Sequence, residues 1–118
     1  MDIGLNRKIL FHPWCMKMKK SPYEYGIRRL VLDVMKPHKP SIVDVAMNLT
    51  KVHGVSGVNC MLGEVDQETE TLKIIVEGVN INYAEIVEML NSMGGAIHSI
   101  DSVVTGSKIV EDVDTLQD

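Results

Sequence analysis

The 118-residue chain is poor in aromatic residues, which make up 4% of it. Proteins that hold single-stranded nucleic acid stack its bases on exposed aromatic rings, and a net charge of −4 disfavours attraction to a phosphate backbone. We therefore expect no nucleic-acid partner. The two cysteines, Cys15 and Cys60, are too few for a four-thiolate zinc site and form no CxxC motif.

Long apolar runs are also missing from the sequence. No segment approaches the roughly 20 apolar residues of a transmembrane helix, and the N-terminal region lacks the apolar core of a signal peptide. We therefore expect a cytoplasmic protein with reduced thiols and no membrane partner. A nucleophile elbow, a Walker loop and a dinucleotide fingerprint are all missing, which favours a protein that is not an enzyme.

Residues 1–25 differ from the rest of the chain in charge and in pattern. They contain five basic and two acidic residues, although the whole chain is acidic. Pro13 and Pro22 interrupt any regular element there. We predict that 1–25 is a basic arm, either disordered or an artefact of the assigned gene start, since internal methionines could also start translation. Residues 26–118 are predicted to form one domain with a short C-terminal tail.

Hydrophobic periodicity predicts the first half of this domain. Alternation from Ile27 to Val34 is typical of a strand. Ser41 can cap a helix whose apolar residues recur at helical spacing as far as Val52, and Gly54 is placed to end it. These signals predict a strand followed by a helix.

The second half repeats this layout after a hairpin. Val58, Cys60 and Leu62 share one face of a second strand and are expected to be buried. Gly57 predicts a bulge or a close approach of backbones. After the hairpin come the strand "TLKIIVEGV", a helix capped by Asn82 and the strand "AIHSIDSVV". The order β-α-β-β-α-β predicts an α+β fold, the ferredoxin-like split βαβ, with a four-stranded antiparallel sheet and two helices on one face.

Several segments also carry a resemblance to a known family. "IRRLVLDVMKPHKP", "GVSGVN", "EVDQETETLKIIVEG" and "GGAIHSIDSVVTG" occur in the order of an archaeal family of small uncharacterised ferredoxin-like proteins, a domain-of-unknown-function family. The chain resembles that family over residues 26–118. The resemblance implies a ferredoxin-like domain that assembles into homo-oligomers and has no established activity, with divalent-cation binding suspected.

Polar residues are predicted to gather at one end of the sheet, where the first strand ends beside the start of the fourth. Lys36 is expected near this end as well. Glu77 and Asn80, at the end of the third strand, are expected at the same end because the third strand is taken to run parallel to the first. Nitrogen and oxygen ligands of this kind suit zinc or another divalent metal; a hydrogen-bonded brace and a small enzyme's active site are the alternatives. The residues proposed for this end are Asp33, His38, His98 and Asp101.

The hairpin between the second and third strands is a second candidate. Its carboxylates alternate along the sequence and could hold calcium, which prefers oxygen ligands. The alternative is a solvated acidic turn. The residues are Glu64, Asp66, Glu68 and Glu70.

Apolar residues on the sheet face opposite the helices suggest a covered surface. Val31 and Ile75 are expected there, and the tail contributes Ile109 and Val110. Either the tail covers its own sheet or a second subunit does. The sequence thus leaves three hypotheses: an oligomeric binding or regulatory module for a divalent metal or a small anionic metabolite, a small enzyme, and a purely structural assembly protein.

Overall fold

A computed structural model describes residues 25–112 and shows the predicted element order. The sheet has the strand order β2-β3-β1-β4, and every neighbouring pair is antiparallel. The α+β ferredoxin-like fold is therefore confirmed. The elements are β1 (Ile27–Pro37), α1 (Ile42–Thr50), β2 (Val55–Val65), β3 (Thr69–Gly78), α2 (Tyr83–Ser92) and β4 (Ala96–Thr105).

Both helices begin where the sequence predicts, whereas α1 ends at Thr50, earlier than the predicted end after Val52. The Ser41 hydroxyl accepts a hydrogen bond from the Asp44 amide at 3.3 Å, and the Asn82 side chain accepts one from the Glu85 amide at 3.1 Å. Each bond satisfies an amide that has no partner within its helix. Gly54 follows α1 with a φ of +90°, a conformation that residues with a side chain rarely adopt.

The core lies between one face of the sheet and the two helices. Alternate residues of β1 and β3 are buried together with the inward stripes of α1 and α2, so both helices pack on the same face. Neither helix within residues 25–112 is long or apolar enough to cross a membrane. The fully buried core side chains are Leu32, Val34, Val45, Leu49, Leu72, Ile74, Val76 and Ile86.

The second strand is less buried than its alternation predicts. Val58 and Cys60 are half-buried and Leu62 is 53% exposed, because β2 lies at the edge of the sheet. The expectation of a buried Leu62 is therefore wrong. Burial is still enough to raise the pKa of the Cys60 thiol to about 11, so the group is a protonated thiol at neutral pH and a poor nucleophile. The register shifts between Val55 and Gly57, and a Cβ atom at Gly57 would meet no atom within 4 Å, which favours the predicted bulge over a close approach of backbones.

The third strand runs antiparallel to the first, which corrects the placement of its end. Glu77 pairs with Arg29 at the start of β1, so it lies at the opposite end of the sheet from His38. The expectation that Glu77 and Asn80 share that end is wrong. The end of β1 instead meets the hairpin, because Lys36 pairs with Glu70.

The tail returns to the start of β1. Arg28 donates to the carbonyl oxygens of Gly106 and Ser107 at 3.1 Å each, and a guanidinium nitrogen of Arg29 lies 3.6 Å from a carboxylate oxygen of Glu111. These contacts hold the tail against its own sheet. Ile109 is half-buried, whereas Val110 is 65% exposed. The predicted basic arm lies outside the described residues except for Tyr25.

Candidate functional site

The face of the sheet opposite the helices is the open face, and rows of charged and apolar residues alternate across it. Arg29 is paired with Glu77 and donates to its carboxylate at 2.8 Å. Val31 is paired with Ile75 in the next row, and both are half-buried. Val31 and Ile75 are therefore neighbours on adjacent strands. Neither helix in the described part of the chain packs on this face.

A depression of about 360 Å³ lies on the hairpin half of the open face. We call it the Asp33 depression. It brings together residues that the sequence assigned to two different sites, since Asp33 and His98 come from the predicted sheet end and Glu64 from the predicted hairpin site. Its lining residues include Asp33, Met35, Gly63, Glu64, Thr71 and His98.

Among residues 25–112, the lining of the Asp33 depression is acidic and includes neither lysine nor arginine. Lys73 is paired with Asp33 across the strands, but its ammonium group lies 2.6 Å from a carboxylate oxygen of Asp101. Lys73, assisted by the Ser99 hydroxyl, lowers the pKa of Asp101. Within residues 25–112, Asp33 and Glu64 form no ion pair. Asp33 acts on Lys73 through its charge without an ion-pair contact, so both carboxylates can still meet a cationic ligand.

His38 does not lie at this depression but braces the hairpin. Its Nδ1 lies 3.1 Å from a carboxylate oxygen of Glu70, and its Nε2 lies 3.0 Å from the carbonyl oxygens of both Asp66 and Gln67. All three partners are hydrogen-bond acceptors, and the Glu70 carboxylate raises the pKa of His38, so these contacts favour the ring with both nitrogens protonated. In this arrangement His38 has no lone pair for a metal, which favours the brace over the metal site at this residue.

Lys36 binds the same carboxylate from inside the protein. We call Lys36, His38 and Glu70, with the hairpin carbonyl groups that His38 contacts, the brace. The Lys36 side chain is 1% exposed, and its ammonium group lies 2.9 Å from the second carboxylate oxygen of Glu70. It also donates to the Pro37 carbonyl oxygen at 2.6 Å. Sequence reasoning placed Lys36 near this end of the sheet but did not predict its burial. The signal was present, because Lys36 continues the inward alternation of Leu32 and Val34, where an apolar residue is expected.

The four hairpin carboxylates occupy different environments. Glu64 lines the Asp33 depression, Glu70 is held by Lys36 and His38, and Asp66 contributes its backbone oxygen to the brace. Glu68 is exposed. Among the described residues, no group of three or more His, Cys, Asp or Glu side chains is placed to hold a metal ion. Any cation here would need water or another molecule to complete its coordination.

The brace predicts that stability falls on both sides of a middle pH range. Glu70 raises the pKa of His38 above its ordinary 6.5, so this stabilisation is complete below that value and is lost as the pH rises through the higher folded pKa. Lys36 and then His38 lower the pKa of Glu70 below 4.5, so its contribution is lost only as the pH falls through the lower folded pKa. We expect urea unfolding to show a stability loss between about pH 6 and pH 9.

The His38→Gln variant is the control for this prediction, because glutamine keeps a side-chain donor but does not titrate. The stability loss between the two pH values should shrink in His38→Gln relative to the wild type. An undiminished loss in the variant would show that His38 does not cause it.

A second depression, of about 480 Å³, lies nearer the other end of the open face and is lined by Gly57, Asn59, Ile75 and Glu77 among others. Its carboxylate, Glu77, is already bound to Arg29. The Asp33 depression is therefore the better candidate for a cation.

Comparison with known proteins gives the chain's relatives. The family model DUF211, described as "Uncharacterized ArCR, COG1888", matches residues 28–118. A relative from Methanocaldococcus jannaschii, the uncharacterised protein MJ0319, is 53% identical over 93 residues, which cover 79% of this chain and 96% of the relative. Neither name states an activity or a ligand.

Proposed function

The chain belongs to the uncharacterised archaeal family DUF211, and from its geometry we propose that it is a non-catalytic, homo-oligomeric module that binds a small cation on its open face. The observation that carries the proposal is the Asp33 depression, where, among residues 25–112, two carboxylates without ion pairs and one imidazole line a recess that contains neither lysine nor arginine. A zinc ion is the probe that fits these donors best, because imidazole and carboxylate together suit it.

The charge of the recess favours a cation over the small anionic metabolite that the sequence left open. An anion placed there would meet Asp33 and Glu64, whereas the nearest cation on the facing strand, Lys73, is bound to Asp101. A zinc ion bound by the oxygen and nitrogen donors of this recess would keep coordination positions that water can fill. A site that exchanges its ligand freely suits a sensor or carrier.

The arrangement gives less support to an enzyme. The four residues proposed for an active site lie in separate environments: His38 is held by Glu70, Asp101 is held by Lys73, and Asp33 and His98 line the depression. A general base must lie within reach of the group that it deprotonates, and a nucleophile needs an adjacent base. No hydrogen bond joins any two of these four residues in the described part of the chain, which supports binding rather than catalysis.

Zinc titration by calorimetry tests the proposal. We expect the wild-type protein to bind zinc, and Asp33→Asn or His98→Ala to raise the dissociation constant at least about tenfold, the equivalent of 1.4 kcal/mol of lost binding free energy. Glu68→Gln is the matched control, since it removes one exposed hairpin carboxylate outside the depression. Its dissociation constant should equal that of the wild type.

Two results would contradict the proposal. One is a wild-type dissociation constant weaker than about 1 mM. The other is an affinity that Glu68→Gln reduces as much as Asp33→Asn, because that would indicate diffuse attraction to an acidic hairpin rather than a site.

A further inference from the structure

Lys73 has two carboxylates within reach on the open face. It is the cross-strand partner of Asp33, and side chains directly opposite each other in an antiparallel pair have Cβ atoms about 4.5–5.5 Å apart. Its ammonium group nevertheless passes Asp33 and lies 2.6 Å from a carboxylate oxygen of Asp101, one strand further on in β4. The structure thus shows this cation at one of two carboxylates that it can reach.

Irregular pairing of β4 places the two residues that matter here. The register between β1 and β4 shifts at two points beyond the start of the sheet, and it passes over Asp101 at one of them and His98 at the other. Bulges of this kind redirect side chains and are common beside functional sites. Asp101 meets Lys73 on the open face, and His98 lines the Asp33 depression.

The Asp101 carboxylate is fixed to receive Lys73, whereas that of Asp33 is not. The Ser99 hydroxyl donates to one oxygen of Asp101 at 2.8 Å, and Lys73 donates to the other. Within residues 25–112, no hydrogen bond or ion pair fixes Asp33. The ammonium group is still attracted to both carboxylates, because Asp101 first, and then the charge of Asp33, raise the pKa of Lys73.

Only a small preference separates the two positions. The side chains of Lys73 and Asp101 are 42% and 34% exposed, and ion pairs this exposed to water are weak. Loss of the contact with Asp101 would therefore be enough to move the ammonium group to Asp33, its nearer neighbour across the strands. There it would occupy the carboxylate that an external cation needs.

We propose that Asp101, fixed by Ser99, is a positioning residue that holds the Lys73 ammonium group off the Asp33 depression. When this contact is lost, the ammonium group transfers to Asp33 and competes with the external cation. The inference rests on the proposed cation site and names what regulates it. Affinity for the cation is thereby controlled from Asp101, a residue outside the described lining of the depression.

A double-mutant cycle of zinc affinity, measured by calorimetry, separates this role from a long-range effect of charge. Asp101→Asn should raise the zinc dissociation constant by about fivefold, the equivalent of one exposed ion pair. In a Lys73→Gln background the same substitution should change the constant much less, since no ammonium group is left to move. Equal factors in the two backgrounds would overturn the inference, because a long-range effect does not need Lys73.

Substitution of Ser99 tests the positioning without changing any charge. Ser99→Ala removes the bond that fixes Asp101, and it should weaken zinc binding by a smaller factor than Asp101→Asn. The matched control is Ser102→Ala, which removes from the same strand a hydroxyl that does not bind Asp101 in the described part of the chain. Its dissociation constant should equal that of the wild type, and equal effects of the two serine substitutions would contradict the role given to Ser99.

A crystal structure of the zinc-free Asp101→Asn protein gives a test that does not depend on zinc. The Lys73 ammonium group should lie within hydrogen-bonding distance of the Asp33 carboxylate. An ammonium group that stays beside position 101 or turns into solvent would overturn the inference. If the wild type binds no zinc, the proposed function fails, and this structure alone decides the inference. If zinc binds but the two backgrounds respond equally, the inference fails and the proposed function stands.

Discussion

Replacing Lys36 with alanine is expected to lower the free energy of unfolding by about 3 kcal/mol, because it leaves the Glu70 carboxylate without its buried partner. The Lys36 side chain is 1% exposed and that of Glu70 is 12% exposed, so the pair is largely shielded from water. His38 remains beside Glu70 and retains part of the brace. Urea unfolding monitored by circular dichroism measures the loss.

The exposed ion pair between Lys73 and Asp101 provides the control. Its side chains are 42% and 34% exposed, and pairs in such positions contribute less than about 1 kcal/mol. Lys73→Ala should therefore change the unfolding free energy much less than Lys36→Ala. If the two variants lost the same stability, the inward position of Lys36 would have no special energetic role.

Replacing Gly78 with alanine is expected to destabilise the protein by about 3 kcal/mol or more, or to prevent folding. A Cβ atom at this position would lie 1.8 Å from the carbonyl oxygen of Gly54 and 3.0 Å from the amide nitrogen of Ser56. Both are backbone atoms of the segment that enters β2, so a side-chain rotation cannot relieve the overlap. The Gly54 carbonyl also accepts a hydrogen bond from the Val79 amide at 2.9 Å, which holds it in place.

Gly57 is the matched control for Gly78. It lies on the neighbouring strand, and a Cβ atom there would meet no atom within 4 Å. Gly57→Ala should change the unfolding free energy by no more than about 0.5 kcal/mol. A Gly78→Ala protein with a wild-type urea midpoint would contradict the close approach of β2 and β3 at this point.

Most of the fold could be predicted because its signals are local. The alternation of β1, the capping residues Ser41 and Asn82 and the glycines after each helix each depend on a few neighbouring residues. Burial along β2 could not be predicted in the same way, since Leu62 has the alternation of a core strand but its strand lies at the sheet edge. Whether a strand lies at the edge depends on the order of all four strands in the sheet, which the local pattern of one strand does not show.

The candidate site could be predicted only in part. Sequence reasoning placed Asp33 and His98 together, because it paired the end of β1 with the start of β4, and both residues line one depression. The sequence reasoning placed His38 beside Asp33 and His98 but assigned Glu64 to a separate site, because it took β3 as parallel to β1. The antiparallel register brings the hairpin to the end of β1, where Glu70 binds His38. Which side chains contact each other depends on the pairing register between strands, and the spacing of residues along the sequence does not reveal that register.

The central claim, that the open face binds a cation at the Asp33 depression, is tested most directly by NMR. Zinc would be titrated into the ¹⁵N-labelled protein while the amide resonances are followed. The account predicts saturable shifts concentrated at Asp33, Glu64, Thr71 and His98, with the amides of Glu68 and Gln67 little changed. Shifts centred on the hairpin turn, or a spectrum unchanged by zinc at millimolar concentration, would contradict it.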